Sequence, residues 1–239
     1  YCENAGSTHH PSQTAYALAI DFNLMPEETM AQTTHYFVES IHRRDNHLSV
    51  GFLGISHLLP ALTKCGQNEL AFTLLEQKGN PGWLYSVING ATTIWERWNS
   101  YIAETGTFGD VSMNSFNHYA YGSIGQWLYR TVLGIQTGEN TDESGYHKIF
   151  LTPSWGGTLT YAKGEHETPF GKITSSWEKK ENSIVYRCTI PANTTAHLSL
   201  PSSCHSSVQI LEGAAIADTA VSGVADFELV SGSYTFKIC

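Results

Sequence analysis

The stretch GIQTGENTDESGYHK, residues 134–148, separates two parts of the chain that follow different sequence patterns. It is rich in glycine and acidic residues, as links between structural elements often are. Before it, apolar residues recur at helical spacing, and after it they alternate with polar ones, which is the period of a half-buried strand. We therefore predict a helical region at residues 1–140 and a β-sheet region at residues 141–239.

The region before this link predicts helices joined by loops. Ser12 is a suitable N-cap for the first helix, and Pro26 fits the first turn of the second. Gly66 and Gly79 are predicted to end two further helices, since glycine readily adopts the left-handed conformation of a helix C-terminus. The predicted apolar face of the first helix comprises Ala15, Leu18, Ala19 and Phe22.

The last predicted helix carries the longest continuous apolar face. That face comprises Phe116, Tyr119, Ala120, Ile124, Trp127, Leu128 and Thr131. His118 lies off this face, in helical register with Gly122 and Gly125, whose missing side chains leave space for a ligand or another backbone. The alternative for His118 is a hydrogen-bonded core histidine.

The region after the link consists of short alternating segments with turn residues between them. These segments are KIFLTP at 148–153, TLTYAKG at 158–164, GKITSSWEKK at 171–180, SIVYRCTIP at 183–191, AHLSLP at 196–201, VQILEG at 208–213 and YTFKI at 234–238. Such a series predicts an antiparallel β-sandwich.

Composition excludes several classes of function. The chain has 239 residues with 22 acidic and 13 basic side chains, and no basic cluster suited to binding nucleic acid. No apolar run approaches the roughly 20 residues of a membrane span. The 11 histidines, among them His9 and His10, lack the spacing of metal ligands, so we expect no metal and no cofactor.

The five cysteines are widely spaced and odd in number: Cys2, Cys65, Cys188, Cys204 and Cys239. They predict no disulfide framework and no metal site. Cys188 alternates with Ile184, Tyr186 and Ile190, as a small apolar strand residue does. The sequence leaves periplasmic, secreted and cytoplasmic locations open.

The stretch GATTIWERWNS, residues 90–100, places one carboxylate, Glu96, between Trp95 and Trp98. In one interpretation Glu96 is an exposed side chain or pairs with Arg97. In the other, the rings form a platform for a sugar and the acid acts on a bond or a water at its edge. Inverting glycoside hydrolysis uses two carboxylates roughly 6.5–9.5 Å apart, one of which deprotonates a water.

Several long segments resemble the C-terminal half of the α-L-rhamnosidases of glycoside hydrolase family 78. They are QTAYALAIDFNLMPEE, HLSVGFLGISHLLPALT, GWLYSVINGATTIWERWNS and SMNSFNHYAYGSIGQWLYRTVLGI. The segment KIFLTPSWGGTLTYAKGEHETPFGKITSSWE resembles the β-sandwich that follows their catalytic domain. The resemblance implies half of an (α/α)6 six-hairpin barrel at residues 1–140, an antiparallel β-sandwich at 141–239, and a rhamnose-containing glycoside or polysaccharide as substrate.

The resemblance also implies roles for individual residues. Glu96 corresponds to the general base of an inverting mechanism, and His118 to a histidine of the rhamnose pocket. Trp83, Trp95 and Trp98 match aromatic positions in or beside the active-site cleft. The family's general acid lies in an Asp-Glu-Arg type motif that this chain lacks, and its other acids, Glu104, Asp110 and Glu165, lie in no matching motif.

We therefore expect a fragment that carries the base but not the acid, and that is inactive or weak by itself. Its partner would be the N-terminal half of the same barrel. Two alternatives stay open: a non-catalytic carbohydrate-binding protein, and an (α/α)6 glycosidase acting on another sugar.

Overall fold

A computed structural model describes residues 11–110, 112–138, 140, 143–201, 208–217 and 224–239. Cys2, Cys204, His9 and His10 lie outside these residues. The chain forms two compact units, Tyr1–Gly125 and Gln126–Cys239.

The first unit is built from short helices and loops. Its helices are α1 (Gln13–Asp21), α2 (Glu27–His42), α3 (Ile55–Lys64), α4 (Asn68–Leu75) and α5 (Trp83–Ile88). They are followed by a two-stranded hairpin, β1 (Tyr101–Ile102) with β2 (Thr107–Phe108), and a 3₁₀ turn at Ala120–Ser123. Helix α1 packs against α2 and α3, and α3 packs against α4 and the 3₁₀ turn.

Local signals account for the helix ends that were predicted correctly. The Ser12 side chain accepts a hydrogen bond from the Ala15 backbone N–H and caps α1. Gly66, at φ +71°, follows the end of α3, and the backbone N–H of Gln67 returns to the Leu62 carbonyl. This is a Schellman ending, which favours glycine because its positive φ strains other residues.

Two details of the helical predictions are wrong. Helix α4 ends at Leu75, before Gly79. The buried face of α1 is Gln13, Tyr16, Ala17 and Ile20, while Phe22 is exposed. Both sides of α1 carry apolar residues, and the buried Gln13 amide is satisfied by the carbonyls of Ser40 and His47.

The last predicted helix is also shorter than expected. Helical structure starts only at Ala120. It consists of the 3₁₀ turn, then α6 (Ile124–Trp127), then a π-helical turn at Leu128–Val132. Residues 116–119 are not helical. The His118 N–H bonds to the Ile94 carbonyl and the Ser115 carbonyl accepts the Glu96 N–H, so these groups are not available to a helix.

The second unit is a β-sandwich. Its described strands are β3 (Ile135–Thr137), β4 (Lys148–Leu151), β5 (Tyr161–Thr168), β6 (Gly171–Lys180), β7 (Ser183–Ile190), β8 (Thr195–Pro201), β9 (Val208–Glu212), β10 (Ile216–Ala217), β11 (Val224–Leu229) and β12 (Gly232–Ile238). Strands β3, β10 and β11 were not predicted, and β3 lies inside the glycine- and acid-rich stretch.

Within the described residues these strands form two five-stranded sheets. One has the order β10-β11-β8-β4-β3, and the other β5-β6-β7-β12-β9. All pairings are antiparallel except β4 with β8, which is parallel. The rings of Phe227 and Phe236, one from each sheet, lie 5.0 Å apart and join the two inner faces. The predicted architecture, helices followed by a sandwich, is confirmed.

The sandwich core combines aliphatic and aromatic side chains, and polar bonds fix some of its aromatic rings. Trp177 is 1% exposed, and its Nε1 donates to the Val132 carbonyl at 2.8 Å. Cys188 is buried between strands as predicted, and burial raises the pKa of its thiol to about 12.

Candidate active site

Two loop segments bring Glu96 and His118 onto adjoining stretches of backbone. The Glu96 N–H donates to the Ser115 carbonyl at 2.9 Å, and the His118 N–H donates to the Ile94 carbonyl at 2.8 Å. Segments 93–96 and 115–118 therefore run antiparallel beside each other. This pairing joins segments about twenty residues apart in the chain and fixes the backbone from which both side chains project.

The Glu96 carboxylate is held by one of its two oxygens. Oε2 accepts the Ser115 backbone N–H at 2.7 Å, a charge-assisted hydrogen bond that fixes the half-buried side chain. Among the described residues Oε1 has no hydrogen-bond partner. One anchored and one unengaged oxygen suit a carboxylate that takes a proton from a bound water.

Arg97 pairs with Asp110 and not with Glu96. Its Nη1 lies 3.6 Å from Asp110 Oδ2 and 3.5 Å from the Met113 carbonyl. The hydrogen bonds from the side chain and backbone of Ser112, with a smaller contribution from Arg97, lower the pKa of Asp110. A carboxyl held in its ionised form is a poor proton donor, so Asp110 does not suit the role of general acid.

The other two acids belong to other elements of the chain. Glu104 is an exposed residue of the turn between β1 and β2. Glu165 lies on β5 in the second unit, where it pairs with Lys172 at 2.9 Å.

His118 precedes the 3₁₀ turn and does not lie on a helix, so the predicted register with Gly122 and Gly125 is wrong. Its Nδ1 accepts the Ala120 backbone N–H at 3.2 Å. In the neutral ring the proton is then on Nε2, which leaves Nε2–H as a donor. The half-buried imidazole also lies parallel to the Tyr119 ring, with centroids 5.3 Å apart. Such a donor suits a sugar hydroxyl.

Trp98 stands in a framework of three contacts. Its Nε1 donates to the Val50 carbonyl at 2.9 Å. The Trp83 ring meets it edge-to-face at 5.4 Å, and the Tyr121 ring stacks on it at 3.7 Å with 9° between the planes. Trp98 is half-buried, whereas Trp83 is buried and donates its own Nε1 to the Tyr121 carbonyl at 2.9 Å.

Trp95 lies in a separate aromatic cluster. It is 7% exposed and packs edge-on against Phe116 at 5.4 Å and Tyr101 at 6.5 Å. The cluster continues to Phe108. The ring therefore supports the loop that carries Glu96, and a direct contact with substrate stays a prediction.

Sequence reasoning missed Tyr121 and Ser115. Tyr121 is 7% exposed, and burial raises the pKa of its phenol to about 12, while the charge of Arg97 lowers that pKa and the charge of Glu96 raises it. Its aromatic neighbours could have drawn attention to it in the sequence. Ser115 contributes through its backbone, which leaves no signature in the residue type.

Within the described residues, no group of three or more His, Cys, Asp or Glu side chains is arranged to hold a metal ion. No helix in the same part of the chain has the length and apolar character needed to cross a membrane.

Comparison with known families decides the relationship. Residues 1–132 match the bacterial alpha-L-rhamnosidase 6 hairpin glycosidase domain. The chain belongs to this rhamnosidase family. Residues 134–214 match the bacterial alpha-L-rhamnosidase C-terminal domain, so the family predicted from the sequence is confirmed for both regions.

Individual rhamnosidases are similar over most or all of the chain. An alpha-L-rhamnosidase of Streptomyces avermitilis is 37% identical over 238 residues, which is 100% of this chain and 22% of that protein. One of Formosa agariphila is 40% identical over 199 residues, covering 83% of this chain and 21% of that protein. The crystal structure of the Streptomyces avermitilis alpha-L-rhamnosidase complexed with L-rhamnose has a TM-score of 0.87 and 38% identity, covering 95% of this chain and 21% of that one. The chain thus spans about a fifth of the length of these relatives.

Proposed function

We propose that this chain is part of an inverting glycoside hydrolase that removes terminal α-L-rhamnosyl residues from glycosides or polysaccharides, with Glu96 as the general base. The observation that carries the proposal is the anchoring of the Glu96 carboxylate in a chain of the rhamnosidase family: Oε2 accepts the Ser115 N–H, and Oε1 has no hydrogen-bond partner among the residues that the structure describes. The reported complex of a 38% identical relative with L-rhamnose supports the choice of sugar.

In this mechanism Glu96 Oε1 takes a proton from a water on one side of the sugar ring. The water oxygen attacks the anomeric carbon while the bond to the leaving group breaks, so the configuration at that carbon is inverted. His118 Nε2–H binds a hydroxyl of the rhamnose. Trp98 is the aromatic ring of the cleft that the sugar meets, with the buried Trp83 supporting that ring and the buried Trp95 supporting the loop of Glu96.

The proton for the leaving group comes from a carboxylic acid outside this chain. Asp110 is held ionised, Glu104 is exposed on a turn, and Glu165 is paired with Lys172 in the other unit. General acid catalysis contributes about 10²–10⁴-fold to rate, so the 239-residue chain alone should be a weak catalyst.

The remaining part of the barrel is the proposed partner that supplies this acid. Large apolar side chains of the first unit are exposed, which is typical of a surface that other chain segments cover. They include Phe22, Leu24, Phe52, Leu53, Val87 and Ile88.

Hydrolysis of 4-nitrophenyl α-L-rhamnoside by the chain tests this proposal. The leaving group needs little protonation, so the base alone should give slow release. We expect Glu96→Gln to abolish that release while the matched variant Glu104→Gln, on an exposed turn, leaves it unchanged. Equal release from Glu96→Gln and the parent chain would overturn the assignment of the base.

A non-catalytic carbohydrate-binding protein is the second candidate, favoured by the aromatic framework around Trp98. It predicts that L-rhamnose binding survives Glu96→Gln and that neither the original chain nor any variant releases 4-nitrophenol. A third candidate, an (α/α)6 glycosidase for another sugar, predicts faster release from a different member of a panel of aryl glycosides.

A further inference from the structure

The stacked pair of Trp98 and Tyr121 has a geometry that two unrestrained rings do not favour. Its centroids are 3.7 Å apart with 9° between the planes, close to face-to-face. Free aromatic pairs prefer offset or edge-on arrangements, with centroids about 4.5–7 Å apart. Other contacts must therefore hold the two rings in register.

Those contacts come from three separate segments. The Trp98 Nε1 is bound to the Val50 carbonyl, and the Trp83 Nε1 is bound to the Tyr121 carbonyl. Trp83 also touches the Trp98 ring edge-on. The Tyr121 backbone is thus fixed by the same tryptophan that borders Trp98, and its ring covers one face of the Trp98 indole.

Tyr121 covers one face of the Trp98 indole, so a ligand can reach only the rest of that ring. Because Trp98 is half-buried and Tyr121 is 7% exposed, the indole is the ring of the pair that solvent and ligands reach. A sugar stacks by laying its C–H face on such a ring, and its affinity depends on the tilt of that ring.

We propose that Tyr121 is a positioning residue for the substrate cleft, which sets the plane of Trp98 and so determines how a deoxyhexose ring lies against it. The proposal rests on the proposed function in one respect, the identity of the sugar. The Tyr121 phenol also lies within electrostatic reach of this site, because the charge of Arg97 lowers its pKa and the charge of Glu96 raises it.

Two substitutions separate the ring of Tyr121 from its hydroxyl group. Tyr121→Phe keeps the stacking ring, and Tyr121→Leu removes it. Trp98→Leu removes the other member of the pair. Tyr161→Leu, at an exposed tyrosine on β5 in the second unit, is the matched control for the same chemical change.

The first readout is near-ultraviolet circular dichroism of the 239-residue chain. We expect Tyr121→Leu to lose the band that Trp98→Leu loses, and the double variant to lose no more. Tyr121→Phe should retain that band's tryptophan component, and Tyr161→Leu should leave it unchanged. An intact band in folded Tyr121→Leu would overturn the proposal.

The second readout is titration with L-rhamnose. Loss of an aligned ring contact is worth roughly a tenfold change in affinity. We expect that loss in Tyr121→Leu, and a change of less than about twofold in Tyr121→Phe. Equal losses in the two variants would assign the effect to the hydroxyl group and overturn a role for the ring.

The two readouts also separate this proposal from the proposed function. If the parent chain binds no L-rhamnose, the proposed function fails for this chain, and the dichroism alone decides the role of Tyr121. The positioning role is supported if Tyr121→Leu and Trp98→Leu lose the same band. It is contradicted if each variant loses a different band and the double variant loses both. If Tyr121→Leu does not fold, Tyr121→Phe decides, since loss of the tryptophan component in a variant that keeps the ring contradicts the proposal.

Discussion

Trp98 and Trp177 use the same anchor for different purposes. Each donates its indole N–H to a backbone carbonyl, Trp98 to Val50 at 2.9 Å and Trp177 to Val132 at 2.8 Å. Trp177 is 1% exposed and fills the core of the sandwich, whereas Trp98 is half-buried and keeps part of its surface accessible. An anchored tryptophan is therefore a structural residue when it is fully buried, and a candidate binding residue when part of its surface stays accessible.

The largest effect should follow the removal of the buried ring. Trp177→Ala leaves a cavity in the sandwich core, and large-to-small changes of this kind cost about 3–5 kcal/mol. Urea unfolding of the chain measures the loss. A cost below about 1 kcal/mol would show that the sandwich does not depend on this ring.

A matched pair of substitutions isolates the anchor itself. Trp98→Phe and Trp177→Phe both keep a ring and remove the indole N–H. A buried carbonyl left without a donor costs about 1–3 kcal/mol, while water can replace the donor at a more accessible site. We expect the larger loss of unfolding free energy in Trp177→Phe, and equal losses would contradict the contrast drawn between the two sites.

The buried Cys188 thiol should have a smaller effect on stability than the tryptophans, and this effect should depend on pH. Burial raises the pKa of its thiol to about 12 from an ordinary value of 9.0. Below pH 9 both the folded and the unfolded states hold the proton, so the group leaves stability unchanged with pH. Between pH 9 and about pH 12 only the unfolded state releases it, so stability falls as pH rises.

Alkylation provides the measurement. At pH 8 iodoacetamide should label the exposed Cys239 and spare Cys188 in the folded chain, and both should react after unfolding. Unfolding curves between pH 9 and 11 should show a shallower loss of stability in Cys188→Ala than in the parent. Rapid labelling of Cys188 in the folded chain would contradict its burial.

The sequence predicted features that depend on neighbouring residues. Ser12 capped α1 and Gly66 ended α3 because caps are local hydrogen-bonding problems. The alternation of Tyr186 and Cys188 identified β7 because one face of a strand is buried at every second residue. Strand β11, with the sequence VADFEL, was missed because alanine, aspartate and glutamate are depleted in strands and a long-range pairing with β8 overrides that preference.

The candidate site was predictable only in part, for the same reason. Glu96 and His118 were found through family likeness, but the helical placement of His118 was wrong. Its backbone N–H bonds to Ile94, more than twenty residues away, and this non-local bond replaces the local helical one. The contribution of the Ser115 backbone and the stacking of Tyr121 depend on the folded chain and are invisible to spacing.

The parallel pairing of β4 with β8 has a consequence for the order in which the sandwich folds. Along the chain, β4 and β8 are separated by β5, β6 and β7, each of which pairs with the next through a short connection. During synthesis on a ribosome, β4 emerges well before β8 and cannot form this pairing until β8 has emerged. The β5–β6–β7 meander can already assemble in that interval. Contacts between distant positions form slowly because the intervening loop must first close. We therefore expect the meander to gain protection from amide hydrogen exchange before β4 does during refolding.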